Sequence, residues 1–439
     1  MALGDCPFWA CVPSKLMLRP EEALHEAADV GGAAQRVHAA DGLEVEAVFA
    51  RRDKLTQGKD DTQVLVPMIE DFGATLVRGA AKITGIRRVQ VLDHKGRSID
   101  LEARLAVALC SGSEPVVPKI VRDTDPWTPR DATSALQAPE HLIIMGGGAV
   151  GCEMATAYSG YGTKVTLISS SAALLPSVDS ETGALVRESL EQKGVTVITS
   201  TKVVGAARTS SGGVEVKLSD GKILNGSELL IAAGRKASLE LGLESIGLGS
   251  GARQLDVDDS MKVATNDGQH WLYAPGDING RSAFTHAAKY HGRIAGNAIA
   301  ARALRKGASG EPSKQCVAVA DATAMPQVIF TTPVVASIGL TRIQAQKQKK
   351  SVKAIAAPWW TVGAMVRQDS TPEGWAQWLI DEEERVLGVT LVGAGAGELI
   401  HAGTIAVTAK MRVADLLHAI PAFPTMSEVY LNLLEASGY

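Results

Sequence analysis

The chain has 439 residues, more than a single hydrophobic core usually supports, and its 46% hydrophobic content suits two or three folded domains. A net charge of −4 gives no basic field to gather nucleic acid or anionic lipid. No stretch reaches the roughly 18 apolar residues of a membrane span, and Met1-Ala2-Leu3-Gly4-Asp5 does not start like a signal peptide, so a cytoplasmic protein without membrane or nucleic-acid partners is expected.

Five cysteines (Cys6, Cys11, Cys110, Cys152, Cys316) are too few and too scattered for a structural disulfide framework, and no metal site is expected. Cys6 and Cys11 stand five residues apart, a spacing that two small buried side chains would also satisfy. Over 141–171 the pattern is an apolar run, Leu142-Ile143-Ile144-Met145, then glycines, an Ala-rich helical stretch and Lys164-Val165-Thr166-Leu167-Ile168. That is a strand-helix-strand unit. Leu229-Leu230-Ile231-Ala232-Ala233-Gly234-Arg235 reads as a further strand, and Leu272-Tyr273-Ala274-Pro275-Gly276-Asp277 starts the next, which together imply parallel α/β architecture. Gly, Ser, Glu and Pro between 307 and 314 suit an exposed boundary before the strand Gln327-Val328-Ile329-Phe330. Lys347-Gln348-Lys349-Lys350 reads as a solvated helix end.

Within the strand-helix-strand unit, Gly146-Gly147-Gly148-Ala149-Val150-Gly151 fits G-x-G-x-x-G. Gly146 permits the tight turn, Gly148 lets a pyrophosphate approach the backbone, and Gly151 lets the helix pack on the sheet. The helix N-terminus offers N–H groups and a positive dipole end to the phosphates. Dinucleotide binding follows. Ser169-Ser170-Ser171 stand where an NAD site carries an acidic residue for the ribose 2′-hydroxyl, so NADPH is favoured over NADH, although the triplet lacks a phosphate-binding Arg.

The segment Gly4-Asp5-Cys6-Pro7-Phe8-Trp9-Ala10-Cys11-Val12-Pro13-Ser14-Lys15, with Leu16-Met17-Leu18-Arg19-Pro20 after it, resembles the redox-active segment of the pyridine nucleotide-disulfide oxidoreductases, the family of dihydrolipoyl dehydrogenase, glutathione reductase and mercuric reductase. The resemblance continues in order through Ser111-Gly112-Ser113, the glycine motif, Ala233-Gly234-Arg235, Ala274-Pro275-Gly276-Asp277, Phe284-Thr285-His286-Ala287-Ala288, Phe330-Thr331-Thr332-Pro333 and Ala396-Gly397-Glu398-Leu399-Ile400. It implies FAD- and NAD(P)-binding Rossmann-like α/β domains and a C-terminal α+β interface domain, hence a homodimer. The boundaries expected are 1–118 and 246–315 for the FAD domain, 119–245 for the NAD(P) domain and 316–439 for the interface domain.

The resemblance also implies roles. Asp277 would hydrogen-bond the ribityl chain of FAD, with Thr285, His286 and Ala287 along the flavin, Gly79 and Gly112 toward the adenine, and Ala80 and Ser111 also among the cofactor-binding residues. Lys15 would pair with Glu153 beside the flavin, a role favoured over the alternative of an ordinary helix-surface carboxylate because Glu153 follows the third glycine by two positions and has Lys15 as a matching partner. Hydride from NAD(P)H, bound at Gly146, Gly148, Ala149, Val150, Gly151, Ser169, Ser170 and Gly234, would pass through flavin to a Cys6–Cys11 disulfide. Cys6 would attack the substrate and Cys11 would stay at the flavin as a thiolate.

Two departures bear on the acceptor and the cofactor. Disulfide-reducing members carry His-Pro-Thr-x-x-Glu near the C-terminus, where the His is an acid-base and the Glu orients it; here Phe423 replaces the His and Glu428 remains. Positioned acid-base catalysis is worth roughly 10²- to 10⁴-fold. His418 is read as a capping or packing residue and not as a substitute. Members also begin with a strand, a glycine-rich turn and a helix that cradle the FAD pyrophosphate, and Met1 follows that segment. A late start assignment or a truncation is expected, with an uncovered sheet edge and apolar surface in the FAD domain. A small-molecule electron acceptor is expected. The alternatives are a quinone reductase or diaphorase that does not need the disulfide, and a flavin-free NAD(P)-binding protein.

Overall fold

The computed structural model describes residues 4–39, 42–249, 251–304 and 313–439. Most of the boundary expected at 307–314 lies outside them. The chain divides into two units, Met1–Pro7 with Lys59–Pro115 and Arg235–Ala322, and Phe8–Gly58 with Val116–Gly234 and Thr323–Tyr439.

The larger unit holds a four-stranded parallel sheet in the order Glu228–Ile231, His141–Met145, Lys164–Ile168, Thr196–Ile198. Leu142, Ile143 and Ile144 are all fully buried, as a central parallel strand covered on both faces requires. The helix Ala149–Gly160 packs on this sheet on one side and meets the helix Cys11–Ala28 on the other. Tyr161 ties the two together, its hydroxyl donating to the Met17 carbonyl at 2.6 Å.

The expected strand across Leu229–Arg235 is in fact two. It ends at Ile231 and a separate strand spans Arg235–Ala237, because Gly234 lies between them at φ +107°, a backbone conformation that breaks the ladder. The same unit ends in a five-stranded antiparallel sheet, Gln327–Ile329, Val335–Gly339, Val386–Val392, Trp375–Ile380 and Lys353–Pro358 in spatial order. The helices Ala396–Thr408 and Val429–Ser437 bury Ile400, Leu433 and Leu434 in its core with Trp378 and Leu391. Gln348, Lys349 and Lys350 are exposed just past the helix Arg342–Lys347.

In the smaller unit a short parallel pair, Val107–Ala108 with Leu272–Tyr273, sits in a core of Ile83, Leu109, Leu243, Trp271 and Ile278. An antiparallel three-stranded sheet, Ala80–Gly85, Arg88–Leu92 and Ser98–Glu102, leaves Leu92, Ile99 and Leu101 exposed. The 19-residue helix Thr285–Ala303 completes the unit.

Candidate active site

Cys6 opens a single helical turn, Cys6–Trp9, and Cys11 opens the 18-residue helix Cys11–Ala28; both cysteines are half-buried. A thiolate at Cys11 would sit at the positive dipole end of that helix. Pro7-Phe8-Trp9-Ala10 separate the cysteines, and Phe8 is buried. Sequence reasoning passed over what holds Trp9. The Thr133 hydroxyl donates to its carbonyl at 2.9 Å, and the Arg130 guanidinium stacks 3.9 Å above its ring centroid.

One helical turn beyond Cys11, the Lys15 ammonium donates to Glu153 Oε2 at 2.7 Å. Glu153 is 6% exposed, so it is not a helix-surface carboxylate. Its other oxygen accepts from the Phe330 N–H at 3.0 Å, and the Lys15 Nζ lies 4.7 Å from the centroid of the Phe330 ring. Phe330 therefore touches both members of the pair. The carboxylate is satisfied on both oxygens and the ammonium is held by charge and by an aromatic face. A cavity of about 140 Å³ lined by Lys15, Leu18, Arg19, Glu21, Thr156 and Phe330 adjoins the pair.

Glu153 stands in the helix that follows the glycine turn. Gly146 has φ +128°, and a Cβ there would strike the Ala232 carbonyl; a Cβ on Gly151 would strike the Gly146 carbonyl oxygen. Gly148 differs, because nothing lies within 4 Å of a Cβ placed on it. It precedes Ala149 and the half-exposed Val150, at a helix start that no side chain caps. Ser169 is buried against Gly147, its hydroxyl accepting from the Ser171 N–H at 3.2 Å, while Ser170 is exposed. Cys152, on the same helix, is a buried thiol that burial pushes up to about 12.

In the smaller unit Gly276, at φ +87°, turns the chain into Asp277. The Ser113 hydroxyl donates to Asp277 Oδ2 at 2.6 Å and accepts from Arg235 Nε at 2.7 Å. Ser111 is exposed and donates to the Ser238 carbonyl at 2.7 Å, and Gly112 turns at φ +70°. Thr285 and His286 are exposed at the first turn of their helix and Ala287 is buried. Gly79 and Ala80 are exposed at the start of the strand Ala80–Gly85, where a Cβ on Gly79 would crowd the Leu92 carbonyl at 2.5 Å.

Near the C-terminus Phe423 is 73% exposed and Glu428 is buried, its Oε2 accepting from the Gly363 N–H at 3.0 Å at the start of the helix Val362–Arg367. The carboxylate is thus committed to the backbone of its own unit. His418 is exposed, not packed, with its backbone N–H donating to the Asp415 carbonyl after the short helix Val413–Leu416. Among the described residues no cluster of three or more His, Cys, Asp or Glu is placed to hold a metal, and no helix is long and apolar enough to cross a membrane.

Residues 2–292 match the model of the family described as pyridine nucleotide-disulphide oxidoreductase, and residues 325–433 match its dimerisation domain. The chain belongs to this family. It is 29% identical over 440 residues to a mercuric reductase of Staphylococcus aureus, covering 97% of this chain and 74% of that protein. It is 28% identical over 446 residues to a dihydrolipoyl dehydrogenase of Geobacillus stearothermophilus, covering 99% and 88%. Among solved structures, LpdA of Mycobacterium tuberculosis has the same fold, with a TM-score of 0.81 at 23% identity over 98% of this chain and 91% of that one. So does the flavoprotein disulfide reductase RclA of Escherichia coli, with a TM-score of 0.76 at 23% identity over 99% and 91%.

The protein is accordingly an FAD-dependent, NAD(P)H-using oxidoreductase of the family, and the expected α/β architecture with a C-terminal α+β domain is present. Residues in both units suit parts of the two cofactors. The open space at Gly148 and the uncapped helix start beside it suit a pyrophosphate. The half-buried Asp277 carboxylate, held by Ser113, suits the hydroxyl-rich part of a flavin dinucleotide.

Proposed function

We propose that this protein passes electrons from NAD(P)H to a small-molecule acceptor through a Cys6–Cys11 disulfide. The observation that carries the reading is the Lys15–Glu153 pair one turn beyond Cys11, its buried carboxylate satisfied on both oxygens and tied to Phe330. Bound FAD would supply hydride acceptance and two-electron transfer. This chain's residues do the rest. NAD(P)H and one proton convert the disulfide to a dithiol and leave NAD(P)⁺. Cys11, at the helix start, is the sulfur retained as a thiolate, and Cys6 is the sulfur that meets the acceptor. Lys15 supplies positive charge one turn away and Glu153 fixes the Lys15 side chain.

The acceptor reading rests on Phe423, because a phenyl ring moves no proton and Glu428 is already committed to Gly363. Acceptors that need no bound acid, such as quinones, dyes or oxygen, fit better than dihydrolipoamide or glutathione disulfide. Phe423 also favours a second reading, a quinone reductase or diaphorase in which the cysteines are dispensable. Replacing Cys6 with Ser separates the two. Loss of turnover with the best acceptor supports the relay, and turnover at the wild-type rate supports the diaphorase.

Domain boundaries at 118, 245 and 315 are part of the proposal, as is a cytoplasmic homodimer. The matched dimerisation domain supports the dimer, together with Ile420 and Phe423, exposed at 86% and 73%. NADPH is preferred over NADH because Ser170 is exposed at the strand end and carries no charge to repel a 2′-phosphate. A Ser170→Asp substitution that left the ratio of NADPH to NADH turnover unchanged would contradict this.

A further inference from the structure

His291 is a fully buried histidine that none of the steps above uses. It lies in the helix Thr285–Ala303, and both of its ring nitrogens have partners. The Gly276 N–H points to Nδ1 at 3.2 Å, and Nε2 lies 2.8 Å from Asp321 Oδ1. A backbone amide can only donate, so Nδ1 is the acceptor and Nε2 carries the proton given to the carboxylate. The neighbours thereby fix one neutral tautomer.

Asp321 is itself held. Its Oδ2 accepts from Arg281 Nη1 at 3.1 Å, and Arg281 also meets Asp259 at 3.1 Å and donates to the Val257 carbonyl at 2.8 Å. Burial pushes the Asp321 carboxyl up, but hydrogen bonds from His291 and Arg281 outweigh it and hold the group below the usual carboxylate range. The imidazole is therefore locked from behind by a charged, braced partner. What it presents in front is a lone pair, aimed at the N–H of Gly276, the residue just before Asp277. Asn279 closes the turn, its amide donating to the Ala274 carbonyl at 2.9 Å and lying 3.4 Å from the same Nδ1.

We propose that His291 is a positioning residue for FAD: locked as a neutral imidazole by Asp321, it fixes Gly276 so that the Asp277 carboxylate is presented to the cofactor's ribityl hydroxyls. Ser113 grips that carboxylate from the other side, so the aspartate is set by two independent anchors. The proposal rests on the reading of Asp277 as a flavin ligand.

The test measures the dissociation constant of FAD from the holoenzyme, by the fluorescence of released FAD on dilution, for three variants. His291→Asn keeps an acceptor where Nδ1 stands and loses the donor to Asp321. His291→Gln keeps a donor near Nε2 and leaves the Gly276 N–H unmatched, and His291→Phe removes both. A buried donor without a partner is costly, so Gln and Phe are expected to bind FAD at least ~10-fold more weakly, while Asn stays within about 3-fold of wild type. Equal affinity in all variants, or a loss in Asn as large as in Phe, overturns the proposal. The far-ultraviolet circular dichroism spectrum and melting curve, measured in parallel, report that the variants are folded; should Gln and Phe not fold, Asn decides alone by retention or tenfold loss. Asp277→Ala separates the two layers. If it leaves FAD affinity unchanged, the flavin-ligand reading fails; if it weakens FAD while His291→Gln does not, only the role of His291 fails.

Discussion

Lys15 and Glu153 meet at 2.7 Å across 138 residues of sequence, with the carboxylate buried and the ammonium about one-third exposed. Removing one partner of such a pair is not symmetrical with removing the other. Lys15→Ala leaves Glu153 buried with one hydrogen bond and no countercharge. It is expected to lower stability by about 1–3 kcal/mol, with the Lys15 exposure holding the loss below that of a fully buried pair. Glu153→Gln removes the buried charge instead of stranding it and keeps one acceptor oxygen, for Lys15 or for the Phe330 N–H but not for both, and is expected to cost less. Thermal unfolding of the two variants side by side checks the order.

The glycines of the nucleotide turn should separate folding from binding. A Cβ at Gly151 meets the Gly146 carbonyl, so Gly151→Ala is expected to destabilise the unit itself. Gly148→Ala has room in the protein and no unusual backbone angle, so the melting temperature should hold. NADPH affinity should nevertheless fall at least ~10-fold, because the new methyl stands where the pyrophosphate approaches. Calorimetric titration with NADPH alongside a melting curve gives both numbers.

Glu428 is expected to act on stability and not on turnover. Its carboxylate accepts the Gly363 N–H at a helix start, a contact of the size of a helix cap. Glu428→Ala should lower stability by about 1 kcal/mol and leave the steady-state rate with a quinone or dye within twofold. A rate loss of tenfold with unchanged melting would return Glu428 to the catalytic set.

Burial raises the Cys152 thiol to about 12, so it stays protonated throughout the neutral range. Thiolate is the reactive form, and its fraction at Cys152 rises only as pH approaches that value. Alkylation by iodoacetamide at pH 8 should therefore spare Cys152 in the native protein and label it after denaturation, as peptide mass mapping would report.

Local patterns carried much of the fold. The apolar run Leu142–Met145 followed by closely spaced glycines could be read directly, because the turn, the helix start and the packing demand are consecutive in sequence. Pairings across distance could not. Lys15 and Glu153 were joined only through the family resemblance, since no periodicity links positions so far apart. The Phe330 N–H escaped altogether: a backbone donor looks the same in every sequence, and the strand expected to run through Phe330 stops at Ile329. The N–H of Phe330 goes instead to Glu153. His291 and Asp321 were invisible for a related reason. They sit 30 residues apart in different elements, and their meaning lies in which ring nitrogen faces a backbone amide. His418, read as a capping or packing residue, is exposed just after the short helix Val413–Leu416, so the packing half of that reading does not hold.

The reading of Cys6 and Cys11 as a redox pair is tested most directly by counting thiols. Anaerobic NADPH is added to the oxidised holoenzyme, excess reductant is removed, and accessible thiols are titrated against an untreated sample. Two additional thiols per chain, absent in the Cys6→Ser variant, are expected. No gain in the wild-type protein, with the flavin band bleached by the same NADPH, would contradict the disulfide relay.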